Sequence, residues 1–154
     1  MAFSLFNKHP KEVLTNAEKE QVIEAIRRAE SRTSGEIRVY IESHNKYVDP
    51  VDRAAEVFFK LKMDNTTDRN AVLLYVAVKD RQLAIFGDEG IYQRTGEHYW
   101  NELVAKILAH FNRKHFATGI SEYIHQIGEG LYHYFPFDRA TDQNELPDDI
   151  VFGS

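Results

Sequence analysis

The residues most able to do chemistry in this chain are carboxylates that sit next to predicted strand ends. Glu36 opens one apolar-alternating run, Asp64 and Asp68 precede a second, and Asp88 with Glu89 follows a third. Several carboxylates held within a few ångströms repel one another, and a hard divalent cation removes that penalty by taking oxygen ligands. Calcium tolerates irregular loops and six to eight oxygens, so it suits such a group better than zinc does, with magnesium as the alternative. The expected ligands are Glu36, Asp68 and Asp88, with Glu97 entering from a nearby helix. The bland alternative is a solvated acidic rim: Asp88 ends a strand, Asp68 caps a turn and Glu97 favours a helix N-terminus.

Other chemistries lack their residues. The chain has no cysteine, which removes disulfides, thiolate metal sites and cysteine nucleophiles. It carries no phosphate-binding GxxxxGK[ST] loop, no GxGxxG, no GxSxG elbow and no HExxH. Asp64, Thr66, Asp68 and Asn70 offer oxygen at every second residue, but Arg69 stands where an EF-hand needs glycine and Tyr75 where it needs glutamate. His110 and His115, and His125 and His133, do not have the spacing of a helical zinc pair, and His98 has no partner in view. No catalytic residue is assigned.

The elements that position these acids follow from periodicity. Thr15 and Glu18 form a capping-box pattern ahead of Val22, Ile23, Ile26 and Ala29, predicting a helix from Asn16 to Ser31. Ile37, Val39 and Ile41 alternate with Glu36, Arg38, Tyr40 and Glu42, predicting a strand with one dry and one wetter face. Asp49-Pro50 opens a second helix, striped by Val51, Ala54, Ala55, Phe58 and Leu61. Ala71 to Val78 reads as a strand covered on both faces, and Leu83 to Phe86 returns from it as a hairpin. A third helix is expected from Thr95 or Gly96, striped by Trp100, Leu103, Val104, Ile107, Leu108 and Phe111. Thr118 caps a fourth, which Pro136 stops.

A β-α-β crossover makes the first two strands parallel, and the hairpin makes the third antiparallel. Ser34 to Glu36, Asp64 to Asn70 and Gly87 to Gly90 must then meet at one end of the sheet. The fold class expected is α/β: a three-layer α/β/α sandwich around a small mixed sheet, with helices on both faces. Residues 1–14 read as an N-terminal extension, 15–136 as the domain and 137–154 as an acidic tail, extended or mobile, with five acids and one arginine. The net charge of −5 gives no general attraction to nucleic acid or anionic lipid. No run reaches the ~18 apolar residues of a membrane span and no signal-peptide core stands near Met1, so a cytoplasmic protein is expected.

The stretch from Ser34 to Pro136 resembles the TPM domain, a family named for a thylakoid-lumen acid-phosphatase-like protein, a photosystem II repair protein and a levamisole-receptor modulator. The resemblance rests on Ser34-Gly35-Glu36-Ile37-Arg38-Val39, on Asn70-Ala71-Val72-Leu73-Leu74 and on Leu83-Ala84-Ile85-Phe86-Gly87-Asp88. Asn144-Glu145-Leu146-Pro147-Asp148-Asp149 resembles a short bacterial subset without membrane anchors. The resemblance implies an α/β/α sandwich, calcium-type binding at the rim and, by extension from plant members, phosphatase activity. Where many members carry Asp-Asn-Gly, this chain has Arg69-Asn70-Ala71. The guanidinium would neutralise the rim in place of a metal, or grip a phosphate. The alternative function is a non-catalytic interaction module for membrane-associated assembly or stress factors, docking a protein partner through its acidic tail.

Overall fold

A computed structural model describes residues 12–46, 49–96, 98–108, 116–137 and 150–153. Glu97, Phe111 and the acidic stretch 138–149, all named above, lie outside the described residues. Among the described residues, five helices and four strands follow in the order α1 Asn16–Glu30, β1 Glu36–Glu42, α2 Pro50–Lys60, β2 Ala71–Ala77, β3 Gln82–Gly87, α3 Glu89–Thr95, α4 Tyr99–Leu108, α5 Phe116–Tyr134 and β4 Ile150–Phe152.

The sheet has the order β3-β2-β1-β4. β1 runs parallel to β2, with Glu36 opposite Ala71, and β2 runs antiparallel to β3, with Val72 opposite Gly87. This is the crossover and hairpin expected. The fourth strand is new: Ile150, Val151 and Phe152 lie parallel to Val39, Tyr40 and Ile41 on the free side of β1. The end of the acidic tail is therefore extended, and its extension completes the sheet.

Local chemistry explains the helix starts. The Thr15 hydroxyl accepts from Glu18 N at 3.1 Å and Glu18 accepts from Thr15 N at 2.9 Å, so two orphan donors of α1 are satisfied reciprocally. Asp49 caps α2 by accepting from Val51 N at 2.8 Å, with Pro50 at the first position. Two expected starts move. A short helix, α3, precedes the one expected near Thr95. Asp88 caps it and Gly96 ends it with φ +82°. α5 is already under way at Phe116, so Thr118 is inside it rather than its cap.

One sheet face presents Ile37, Val39, Ile41, Val72, Leu74, Val76, Leu83 and Ile85 to α1, α4 and α5, with Ile91 of α3 beside them. The other presents Tyr40, Leu73, Tyr75, Ala71, Ala77 and Ala84 to α2 and Met63. The result is the α/β/α sandwich, with four helices on one face and α2 on the other among the described residues. The wetter face expected for β1 is not wet: Glu36, Arg38, Tyr40 and Glu42 are all buried. Among the described residues no helix is long and apolar enough to cross a membrane.

Candidate functional site

The three loops meet at the rim as the topology requires. Glu36 N donates to Asn70 O at 3.4 Å, Asp88 N to Ala71 O at 3.0 Å and Gly90 N to Arg69 O at 2.9 Å. Asn70 Nδ2 donates to Ser34 Oγ at 3.1 Å. Gly90 is glycine because a Cβ there would overlap the carbonyls of Asp68 and Arg69.

The expected ligands have separate environments. Glu36 is buried at 3% exposure and Asp88 at 2%, while Asp68 is exposed. Arg69 grips Asp88 with both arms, Nε to Oδ2 at 2.7 Å and Nη2 to Oδ1 at 2.9 Å. Oδ1 also accepts from Glu89 N at 2.7 Å. The third guanidinium nitrogen lies 3.6 Å from Glu89. The hydrogen bonds to Asp88, with further attraction from Glu89 and Asp64, hold the guanidinium above its ordinary pKa.

A three-carboxylate cation cage does not fit these residues while Arg69 holds Asp88. Both oxygens of Asp88 are engaged, and a dication approaching them meets a positive charge already in hydrogen-bond contact. Among the described residues, no three of His, Asp and Glu are gathered closely enough to hold a metal ion. Two oxygens at the rim point the other way. Asn70 Oδ1 and Thr66 Oγ1 are buried and have no hydrogen-bond partner among the described residues. Buried acceptors of this kind call for a water or a cation.

A second polar cluster lies toward the other end of β1. Arg53 on α2 donates from Nε and Nη2 to the two oxygens of Glu42, both at 2.8 Å. Its third arm reaches Glu56, and the Tyr75 hydroxyl donates to Glu42. Tyr40 stacks on Tyr75 with ring centroids 6.2 Å apart. Burial, then the bond to Glu42, pushes the Tyr75 phenol far up, and burial raises Tyr40 as well. Its hydrogen bond to Glu42 raises Arg53. This network was not foreseen. The one signal for it is a polar alternation in β1 beside an arginine next to the α2 stripe.

His44 Nδ1 lies 3.1 Å from Asp80, and that bond, with a further one from Asn45 N, holds the Asp80 carboxyl below its usual range. The pair ties the turn after β1 to the β2–β3 hairpin. On the outer side of the helical layer, a groove of about 580 Å³ runs between α1 and α5. Arg28 pairs with Glu24 and Arg32 with Glu129 along it, and Glu122 adds a further carboxylate.

A model of the TPM domain matches residues 8–130. The NMR structure of the BA42 protein from the psychrophilic bacterium Bizionia argentinensis is 41% identical, covers 93% of this chain and 97% of its own, and superposes with a TM-score of 0.82. The N-terminal domain of a protein from P. gingivalis, also solved by solution NMR, is 16% identical, covers 88% of this chain and 90% of its own at a TM-score of 0.65, and so shares the fold alone. No curated protein matches the chain.

Proposed function

The chain belongs to the TPM domain family, and from that premise we propose that it is a binding module whose rim carries its own counter-charge rather than a metal-dependent phosphatase. The observation that supports this reading is the two-armed pairing of Arg69 with Asp88. A guanidinium in that place supplies the positive charge that a cation would bring, and it leaves no carboxylate at Asp88 to orient a water.

The partner chemistry follows from the stretch 138–149. Asp138, Asp142, Glu145, Asp148 and Asp149 stand there with Arg139 as the sole cation. Both flanks are tied to the domain: Phe137 N donates to Arg32 O at 3.2 Å, and Ile150 begins β4. Such a run attracts a basic protein surface, and its contacts weaken with salt. The test immobilises the full chain, with or without those five acids changed to Asn and Gln, and measures capture of defined Lys/Arg-rich peptides at low and moderate salt. Capture lost with the acids supports the reading. Capture that survives their removal, or phosphomonoester hydrolysis that needs divalent metal and Asp88, sinks it. A cytoplasmic location is part of the same proposal and is checked by fractionating cells that express the tagged chain.

A second reading keeps a divalent cation at the rim, calcium before magnesium, on Glu36, Asp68 and Asp88. The orphaned oxygens Asn70 Oδ1 and Thr66 Oγ1 favour it. It requires Arg69, whose side chain is 39% exposed, to swing off Asp88.

A further inference from the structure

We infer that the outer edge of β1 is a strand-docking slot that takes an apolar-apolar-aromatic-glycine segment, filled here by Ile150–Gly153 and open to the same segment of a second copy of this chain. The inference stands apart from the rim and does not depend on how the rim is read. β1 is bounded on one side by the seven-residue ladder with β2 and on the other, among the described residues, by three pairs with β4. Gly153 N extends that short ladder by donating to Ile41 O at 2.8 Å.

Each position of the segment meets a different surface. Ile150 is 7% exposed and enters the larger core, on the face opposite α2, while Val151 packs on the α2 side. The Lys19 ammonium lies 5.3 Å from the centre of the Phe152 ring. Gly153 is the most constrained. A Cβ there would overlap the Tyr40 hydroxyl, lie 2.8 Å from Tyr40 Cζ and lie 3.1 Å from Glu42 Cβ. Tyr40 has little room to yield, because the residue is 8% exposed and its ring stacks on Tyr75, whose hydroxyl is bonded to Glu42. The slot thus selects glycine at its fourth position by steric exclusion.

A three-residue parallel ladder is a weak attachment. It can open as a local unit while the core stays folded. A second copy presents a segment that fits by identity, and reciprocal exchange closes on itself as a two-fold dimer.

The test uses the full chain carrying Val151→Pro, which cannot keep its own strand in the ladder. The probe is a fluorescent peptide of the sequence Asp148–Ser154. Folded Val151→Pro protein should bind it, and the unaltered protein about ten-fold more weakly or worse, because the attached strand competes at an effective concentration on the order of millimolar. A peptide with Gly153→Ala should lose about ten-fold or more in binding. Tyr40→Val in the acceptor should restore it by removing the Cζ and hydroxyl that exclude a methyl. No binding by the folded variant, or binding indifferent to the glycine, overturns the proposal. If Val151→Pro does not fold, the unaltered chain in ordinary and ¹⁵N-labelled form is mixed at high concentration, warmed below its melting temperature and examined by native mass spectrometry. Dimers of mixed mass support exchange, and their absence overturns it.

Discussion

Arg53 and Glu42 face each other with two parallel hydrogen bonds and only 5% of either side chain exposed. Breaking a buried pair from one side strands the remaining charge. Arg53→Met should therefore cost about 3–5 kcal/mol in denaturant unfolding. Replacing both, Arg53→Met with Glu42→Leu, should recover much of that loss, although Tyr75 then lacks its acceptor. A double variant as unstable as the single one would show that the pair itself, and not the stranded carboxylate, carries the stability.

At the rim, Arg69 has φ +51°, a left-handed backbone that asparagine tolerates. Arg69→Asn keeps that turn and frees Asp88. The unaltered protein should melt at the same temperature with and without about 5 mM calcium. With a dissociation constant of roughly 0.5 mM, the variant should gain about 3–6 °C. An equal response in both proteins would mean that Arg69 does not compete with the ion.

Gly128 marks the close approach of α5 to α1. A Cβ there would lie 2.7 Å from Ala29 Cβ. Gly128→Val should lower stability by about 1–3 kcal/mol through overpacking. Adding Ala29→Gly should return part of it, and a purely additive pair would argue against contact as the cause.

Burial alone pushes the Tyr123 phenol up to about 12. An unfolded chain releases this proton near 10. The folded chain holds it longer, so the neutral phenol contributes stability that is full below about 10 and lost as pH rises towards about 12. Urea midpoints should fall across that window, and Tyr123→Phe should fall less steeply. Tyr75 and Tyr40, raised as well, add to the slope in both proteins.

Features written into neighbouring residues are legible in the sequence alone. Thr15 with Glu18 and Asp49 with Pro50 act within one helical turn, so sequence spacing alone locates them. The meeting of Glu36, Asn70 and Asp88 followed from crossover and hairpin rules rather than from spacing. What escaped depends on tertiary placement. Glu42 finds Arg53 only once α2 lands on that face, which turns the supposed wet side of β1 into a buried polar seam. Gly90 and Gly96 hid α3, because one serves a close approach and the other a left-handed end. β4 is three apolar residues after a polar stretch, too short for period-two reading. The bonding of the Asp88 carboxylate by Arg69 and by the backbone of α3 likewise depends on how the rim loops meet.

β4, made long after β1, pairs beside it in the sheet. During synthesis, every residue between Glu42 and Ile150 is added while the outer edge of β1 has no partner from β4. At ~5–20 residues per second that exposure lasts roughly 5–20 s. On a crowded polysome, the nascent chains would have to keep this unpaired margin from annealing with its neighbours, and the arrival of Ile150–Phe152 would relieve them of the task.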